Sequence, residues 1–292
     1  MQKTTDKMNR EGTKGTEKKL GIRSPILLCL CLWLPLLGCG SKPYSEATIA
    51  QAESPPPRPQ LIHLPGIGGH MRIDDNLIAG LKLGGLDADM RIYDWTGPDR
   101  GIIALGSATR HSDESSKVAE MITAIYRANP RTPIIITSHS AGTGIAIWAL
   151  EKLPDDVQID TLLMMQSALS PNYDLSKALR HVRGRAYSFC SIYDPVLGGA
   201  GTGLLGTVDR IQTEAAGRVG FARPPRADAR AYDKLQQIAY DESWMQLGNP
   251  GDHIGPMRRR FAKEMLAPLL ETGKLPHLIT ASTRAATSPS SP

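Results

Sequence analysis

The order of apolar segments predicts an α/β fold: a mainly parallel sheet flanked by helices on both faces, a three-layer sandwich. Three observations predict it. From Gln60 onward, short apolar runs alternate with amphipathic segments. One run, Ile134-Ile135-Ile136, is apolar at consecutive positions, as a strand buried on both faces must be. Val118, Met121, Ile122 and Ile125 recur at i, i+3, i+4 and i+7, the mark of a helix resting one face on such a sheet.

Each element follows in order. Leu61 to Leu64 reads as the first strand, broken by Pro65-Gly66-Ile67-Gly68-Gly69, and a helix with Leu77, Ile78 and Leu81 on one face comes next. Asp89 to Trp95 is the second strand, ended by Gly97-Pro98. The helix carrying Val118 and Ile122 is expected to start at Ser112, an N-cap residue followed by Asp113 and Glu114, and to stop at Pro130. Pro133 to Thr137 is the buried strand, and a helix from Ala141 to Lys152 follows it. Ile159 to Met165, Arg185 to Ile192 and, more weakly, Leu235 to Tyr240 complete the strands, and a last helix runs from Pro256 to Leu270.

Composition bounds the function. The chain has 292 residues, of which 41% are hydrophobic, enough for a full core and too many for wholesale disorder. The net charge of +5 points at first to nucleic acid, but residues 1–38 carry +4 of it and 39–292 only +1. The body therefore lacks the basic surface that phosphate backbones require, and with 5% aromatics it lacks stacking platforms too. No His/Cys/Asp cluster has metal-ligand spacing, and no cofactor motif is present; the Gly-rich stretch Gly198 to Gly203 lacks the Lys context of a nucleotide loop.

The excess charge belongs to a leader. Its basic part runs to Arg23, and Ile26 to Gly38 is apolar but too short for the ~20 residues of a spanning helix. It ends in Leu36-Leu37-Gly38-Cys39, which resembles the lipobox of bacterial lipoproteins, with Leu37 where smaller residues are commoner. That resemblance implies cleavage of residues 1–38 and acylation of Cys39, hence a lipid-anchored protein of the bacterial cell envelope, on the periplasmic or cell-surface side. Met1 and Met8 both remain possible starts. Residues 39–60, with Pro55-Pro56-Pro57-Arg58-Pro59, read as a lipidated Cys and an extended tether. The folded domain is expected over 61–272 and a Ser/Thr/Ala/Pro-rich disordered tail over 273–292. Cys190 has no partner Cys in the mature chain and reads as a small buried side chain.

Chemistry concentrates at Ser138-His139-Ser140-Ala141-Gly142, between the buried strand and its helix. A strand-to-helix corner strains its central residue and tolerates only small neighbours two positions away, here Ser138 and Gly142. It presents the Ser140 hydroxyl at the positive end of a helix, where attack on a carbonyl is helped. On this corner the chain resembles the α/β-hydrolase fold, whose pattern is Gly-x-Ser-x-Gly; Ser138 replaces the first Gly.

The resemblance spans about 60–272 and implies the remaining roles. The backbone amide after the nucleophile, Ala141, is one oxyanion donor. The other is Ile67, in His63-Leu64-Pro65-Gly66-Ile67-Gly68-Gly69, where Pro65-Gly66 stands for the family's usual His-Gly. Asp194, after the strand ending at Ile192, stands where the family places its acid; Asp174, Asp209 and Asp241 compete. The base lies beyond the last strand, which leaves His253 and His277, and His253 is assigned. His139 packs locally, and His63 and His70 read as satisfied structural residues. Residues of about 196–233 form an insert, a loop or lid beside the site. Arg180, His181, Arg183 and Arg185 read as a solvated helix end.

The implied function is a membrane-tethered serine hydrolase acting on a small-molecule or lipid ester through Ser140, His253 and Asp194. Acyl transfer or thioester cleavage by the same triad is the alternative. A non-catalytic envelope lipoprotein that keeps the fold for binding is another. Oligomeric state and substrate stay open.

Overall fold

A computed structural model describes residues 55, 57–198 and 206–277 of the chain. The expected leader, Cys39, most of the tether, the Gly199 to Gly203 part of the insert and nearly all of the expected tail lie outside these residues.

All six strands pair in parallel, in the order β2-β1-β3-β4-β5-β6. They are β1 Gln60–Leu64, β2 Asp89–Ile92, β3 Ile134–His139, β4 Ile159–Met165, β5 Val182–Cys190 and β6 Leu235–Ala239. Helices α1 Arg72–Leu83, α2 Ile102–Gly106, α3 Ala108–Ala128, α4 Gly142–Leu150 and α5 Ser176–Arg180 connect the first five strands. The short α6 Ala216–Val219 and α7 Ala229–Tyr232 precede β6. After β6, α8 Arg259–Phe261 continues through one π-helical segment, Ala262–Leu266, into α9 Ala267–Thr272. This is the three-layer α/β arrangement that the sequence predicts.

The strand alternation sorts the core into two layers. Ile62, Leu64, Ile134, Ile136, Leu162 and Met164 face α3 and α4, whose Val118, Ile122, Ile145 and Ala146 pack on them. Leu61, Ile135, Leu163, Met165 and Phe189 face the other way, onto Leu77 and Leu81 of α1 and onto Phe261, Met265 and Leu266. Among the described residues no helix is long and apolar enough to cross a membrane.

The start of α3, the end of β2, both ends of β5 and the burial of His181 differ from expectation. Helix α3 starts at Ala108, not Ser112, and its cap is Ser107, whose hydroxyl accepts from the Arg110 amide. The extra turn exists because His111 is buried against the rings of Trp95 and Trp148, a contact made only in the fold. His181 is buried rather than solvated, with its Nδ1 2.8 Å from the Val157 carbonyl. Its neighbours Arg180 and Arg183 are exposed and paired with Asp228 and Asp160.

The strand order positions the site. The chain leaves the central β1 toward the edge strand β2, then crosses back to β3 on the other side of β1. At such a reversal the loops leaving neighbouring strands diverge and open a crevice beyond their carboxyl ends. Here those loops are Pro65 to Gly69 after β1 and Ser140 after β3.

Candidate active site

The corner at Ser140 is built as its spacing requires. Ser140 has φ 52°, a left-handed conformation that costs a non-glycine residue about 1–2 kcal/mol. Neighbouring backbone holds it there: its N–H donates to Met165 O at 3.0 Å and its carbonyl accepts from Ala168 N at 3.2 Å. Gly142 lies against the β1 loop, and a Cβ on it would sit 2.3 Å from Pro65 O and 2.4 Å from Leu64 O. Neither carbonyl can retreat without breaking the sheet end, so Gly142→Ala is expected to destabilise by the upper end of the ~1–3 kcal/mol typical of overpacking. Chemical denaturation of the variant measures this, and unchanged stability contradicts the packing described.

Ser138, by contrast, still belongs to β3, paired with Leu64 and Met164, and has room for its side chain. Its buried hydroxyl donates to Leu163 O at 3.3 Å. The departure from glycine is thus absorbed by the neighbouring strand.

The β1 loop closes over the flank of Ser140. A Cβ on Gly66 would lie 3.2 Å from Ser140 Cβ and 3.3 Å from His139 Nδ1, so glycine relieves a tight approach of the loop to the corner. Trp95 Nε1 donates to Pro65 O at 2.7 Å, and Gly101 N to Ile67 O at 2.7 Å, which ties the loop to the segment after β2. Among the described residues the amides of Ile67 and Ala141 donate to no acceptor, so both are available to a ligand.

Asp194 and His253, the expected acid and base, meet from distant parts of the chain. His253 Nδ1 lies 2.7 Å from Asp194 Oδ2. Asp194 is wholly buried, and its Oδ1 accepts from the amides of Val196 at 2.9 Å and Leu197 at 3.1 Å. The second carboxylate oxygen is thereby left for the imidazole.

The competing groups are engaged elsewhere. Asp174 caps Ser176, Asp209 accepts from Ser170, and Asp241 accepts from the Ser243 amide. His277 is exposed beyond α9. His63 is buried, with its ring nitrogens 2.9 Å from Thr137 Oγ1 and 2.9 Å from Asp74 Oδ1, and the exposed His70 pairs with Asp75. Cys190 is half-buried, and burial pushes its thiol pKa up, which keeps it protonated.

His139 does more than pack. Its Nε2 donates to the His253 carbonyl at 2.8 Å and its ring lies 4.7 Å from the His253 ring. Burial, reinforced by the neighbouring His253, holds its pKa well below the ordinary imidazole value. A histidine lowered on folding adds stability above about pH 6.5 that is lost as pH falls and the unfolded chain takes up the proton. Melting temperature is therefore expected to drop from pH 7 to pH 5 more steeply in the wild type than in His139→Gln. His111, lowered mainly by burial, supplies part of the slope that remains. Parallel curves for the two proteins contradict this.

Three contributors were not read from the sequence. Gln166 is buried at φ 49°, and its Nε2 reaches Asp252 O at 3.4 Å, behind the base loop. Trp95 anchors the β1 loop. The Arg218 guanidinium donates to the carbonyls of Ile192 and Asp194 and pairs with Glu214 at 2.8 Å. Their only sequence signal is residue type, because each acts on a partner far along the chain.

The insert, expected as a loop or lid, is sewn down in its described part. Val208 N, Ala216 N and Gly217 N donate to the carbonyls of Ala168, Leu169 and Ser167, and Gly217 O accepts from Ser191 N.

Ser140, His139 and His253 open into one cavity of about 190 Å³ lined also by Gly66, Ile67, Met71, Val196 and Ile254. A larger cavity of about 570 Å³, between α3, α4 and Val208 to Arg210, shares no lining residue with it and lacks a nucleophile–base pair. The smaller cavity is the one that Ser140 and His253 both line. Among the described residues no group of three or more His, Cys, Asp or Glu is arranged to hold a metal ion.

No family model and no curated protein sequence matches the chain. Among solved structures it is similar to the type II thioesterase BorB from the borrelidin biosynthetic cluster, at 14% identity and TM-score 0.37, over 70% of this chain and 87% of that one. It is also similar to the pyrethroid hydrolase PytH, at 13% identity and TM-score 0.36, over 73% and 96% of the two chains. A third similar structure is RedJ with a PEG molecule bound in its active site, at 12% identity and TM-score 0.31, over 65% and 84%. At these scores the likenesses carry nothing about residues or substrates.

Proposed function

We propose that this protein is a membrane-tethered serine hydrolase that cleaves carboxylic esters through an acyl-enzyme. The observation that carries the reading is the 2.7 Å hydrogen bond between His253 Nδ1 and the buried Asp194, with His253 lining the same cavity as the strained Ser140.

The Asp194 bond leaves Nε2 of a neutral His253 free as a base. It takes the Ser140 hydroxyl proton as Oγ bonds to the ester carbonyl carbon. The resulting oxyanion accepts from the amides of Ile67 and Ala141, donors worth about 2.7–4 kcal/mol each in such sites. When the carbon–oxygen bond to the leaving group breaks, the imidazolium returns its proton to the departing alcohol. Water then attacks the acyl-enzyme, gives a proton to His253 and releases the acid, and that proton restores the Ser140 hydroxyl. The expected acylation of Cys39 would keep this chemistry at a membrane.

A fluorophosphonate probe tests the reading: it should label the wild type, and peptide mapping should place the adduct on Ser140. A folded protein that does not react points instead to a non-catalytic binder. Turnover in water against turnover with added alcohol separates hydrolysis from acyl transfer.

Arg218 gives a second expectation. Removing its grip on the Ile192 and Asp194 carbonyls should loosen the acid, and Arg218→Met should lower kcat by about 10- to 100-fold with little change in KM. Added guanidinium ion should restore part of the loss, since the side chain is 28% exposed. An unchanged kcat removes Arg218 from the machinery.

A further inference from the structure

The Ser140 cavity is small for a ligand site. Its volume is about 190 Å³, against the ~300–1,000 Å³ of typical sites. At the ~30 Å³ that one water molecule occupies, it holds about six groups of that size. The carbon and two oxygens of an ester fill roughly half of it, which leaves room for about three further carbons.

The lining selects the chemistry of those carbons. Ile67, Met71, Val196 and Ile254 supply apolar walls. Among the described residues that line the cavity, the ionisable ones are Asp74, His139 and His253, with no lysine or arginine. Both oxygens of Asp74 are engaged: Oδ1 lies 2.9 Å from His63 Nε2, and Oδ2 accepts from the Met71 amide at 2.7 Å. A negatively charged substituent would lose its hydration here and find no counter-charge.

The two steps of ester cleavage decide which end of the ester is enclosed. The alcohol departs and water enters before the acyl-enzyme is hydrolysed, whereas the acyl group stays on Ser140 through both steps. The enclosed space suits the group that stays, and the mouth suits the group that leaves.

Met71, Val196 and Ile254 also stand partly in solvent, so they form that mouth. Two of them are bound up with the acid and the base. The Val196 amide donates to Asp194 Oδ1, and Ile254 follows His253 in the chain. Met71 is tied to neither. It precedes α1, and its side chain fills the notch that Gly68 leaves, where a Cβ would lie 2.4 Å from Met71 Sδ. The buried Asp74 pins its main chain, so the thioether is held at the cavity although 48% of the residue is exposed. An unbranched side chain placed this way limits the space for the acyl chain without touching the reacting groups.

We propose that the substrate is an ester of a short, uncharged acyl group of up to about four carbons, and that Met71 sets this limit. The proposal rests on the serine-hydrolase reading and names its substrate class.

The test uses the full chain and p-nitrophenyl acetate, butyrate and octanoate. From acetate to butyrate kcat/KM should rise roughly fourfold per carbon, the gain of burying a methylene, and octanoate should lie about tenfold or more below butyrate. Met71→Ala should raise the octanoate-to-butyrate ratio by about tenfold, and Met71→Trp should lower butyrate against acetate by about tenfold. The two variants shift the ratios in opposite directions, so either one alone decides should the other fail to fold. Leu83→Ala, exposed at the far end of α1, should keep both wild-type ratios. Monomethyl malonate, close to methyl butyrate in size but negatively charged, should be cleaved about 30-fold or more slowly than methyl butyrate.

A wild type that cleaves octanoate as well as butyrate, a Met71 variant with unchanged ratios, or malonate cleaved as fast as butyrate overturns the proposal. If Ser140 takes the fluorophosphonate label while the chain-length order is reversed, the size limit alone falls. No label and no turnover of any ester sinks the hydrolase reading, and the size limit with it.

Discussion

Ser140→Ala is expected to lower kcat/KM on a short p-nitrophenyl ester by roughly 10⁴- to 10⁶-fold, the range seen when a triad nucleophile is removed. The loss is purely chemical, because alanine fills the same space and accepts the same neighbours. The corner's backbone bonds, Ser140 N to Met165 O and Ala168 N to Ser140 O, do not involve the hydroxyl. Thermal stability should therefore be unchanged.

Ser140→Gly sharpens the experiment. It removes the same hydroxyl and also relieves the φ 52° strain, so it should be equally inactive and more stable by about 1 kcal/mol. Greater stability on loss of activity would mark backbone strain held at a reacting residue. An alanine variant with wild-type turnover would remove Ser140 as nucleophile.

Asp194→Asn should cost about 10⁴-fold in kcat. Asp194 Oδ1 receives two backbone amides, so an asparagine must keep its carbonyl oxygen there. Its NH₂ group then points at His253 Nδ1, which must become an acceptor. The proton moves to Nε2, and the base that should take the Ser140 proton is already occupied. The competitors provide the control: Asp209→Asn and Asp241→Asn touch only Ser170 and a helical cap, and should leave kcat within a few fold. Equal losses at Asp194 and Asp209 would mean that folding, not the tautomer, is being measured.

Much of the fold was legible because its signals are local. Ile159 to Met165 was read to the residue, since strand and apolar run coincide. The corner at Ser140 was legible from a continuous apolar strand, two small residues and a helix that follows at once. The start of α3 was misplaced by four residues, because the acidic pair after Ser112 is a strong local cue and the burial of His111 is not local at all. The strand β2 ends at Ile92, short of Trp95, because Trp95 leaves the sheet to hold Pro65 O.

The sequence by itself determined the alternation of strands and helices, the identity of the exposed serine corner, and a short set of acids and histidines in a given order. These depend on period, residue size and chain direction, each readable within a few positions. Only the tertiary structure decided which carboxylate faces His253, that Ser138 finds a carbonyl across the strand, and that Gln166 and Arg218 brace the two loops. Those facts depend on distances between segments 24 to 86 residues apart, which side-chain chemistry permits but only the packing of the sheet and its loops selects.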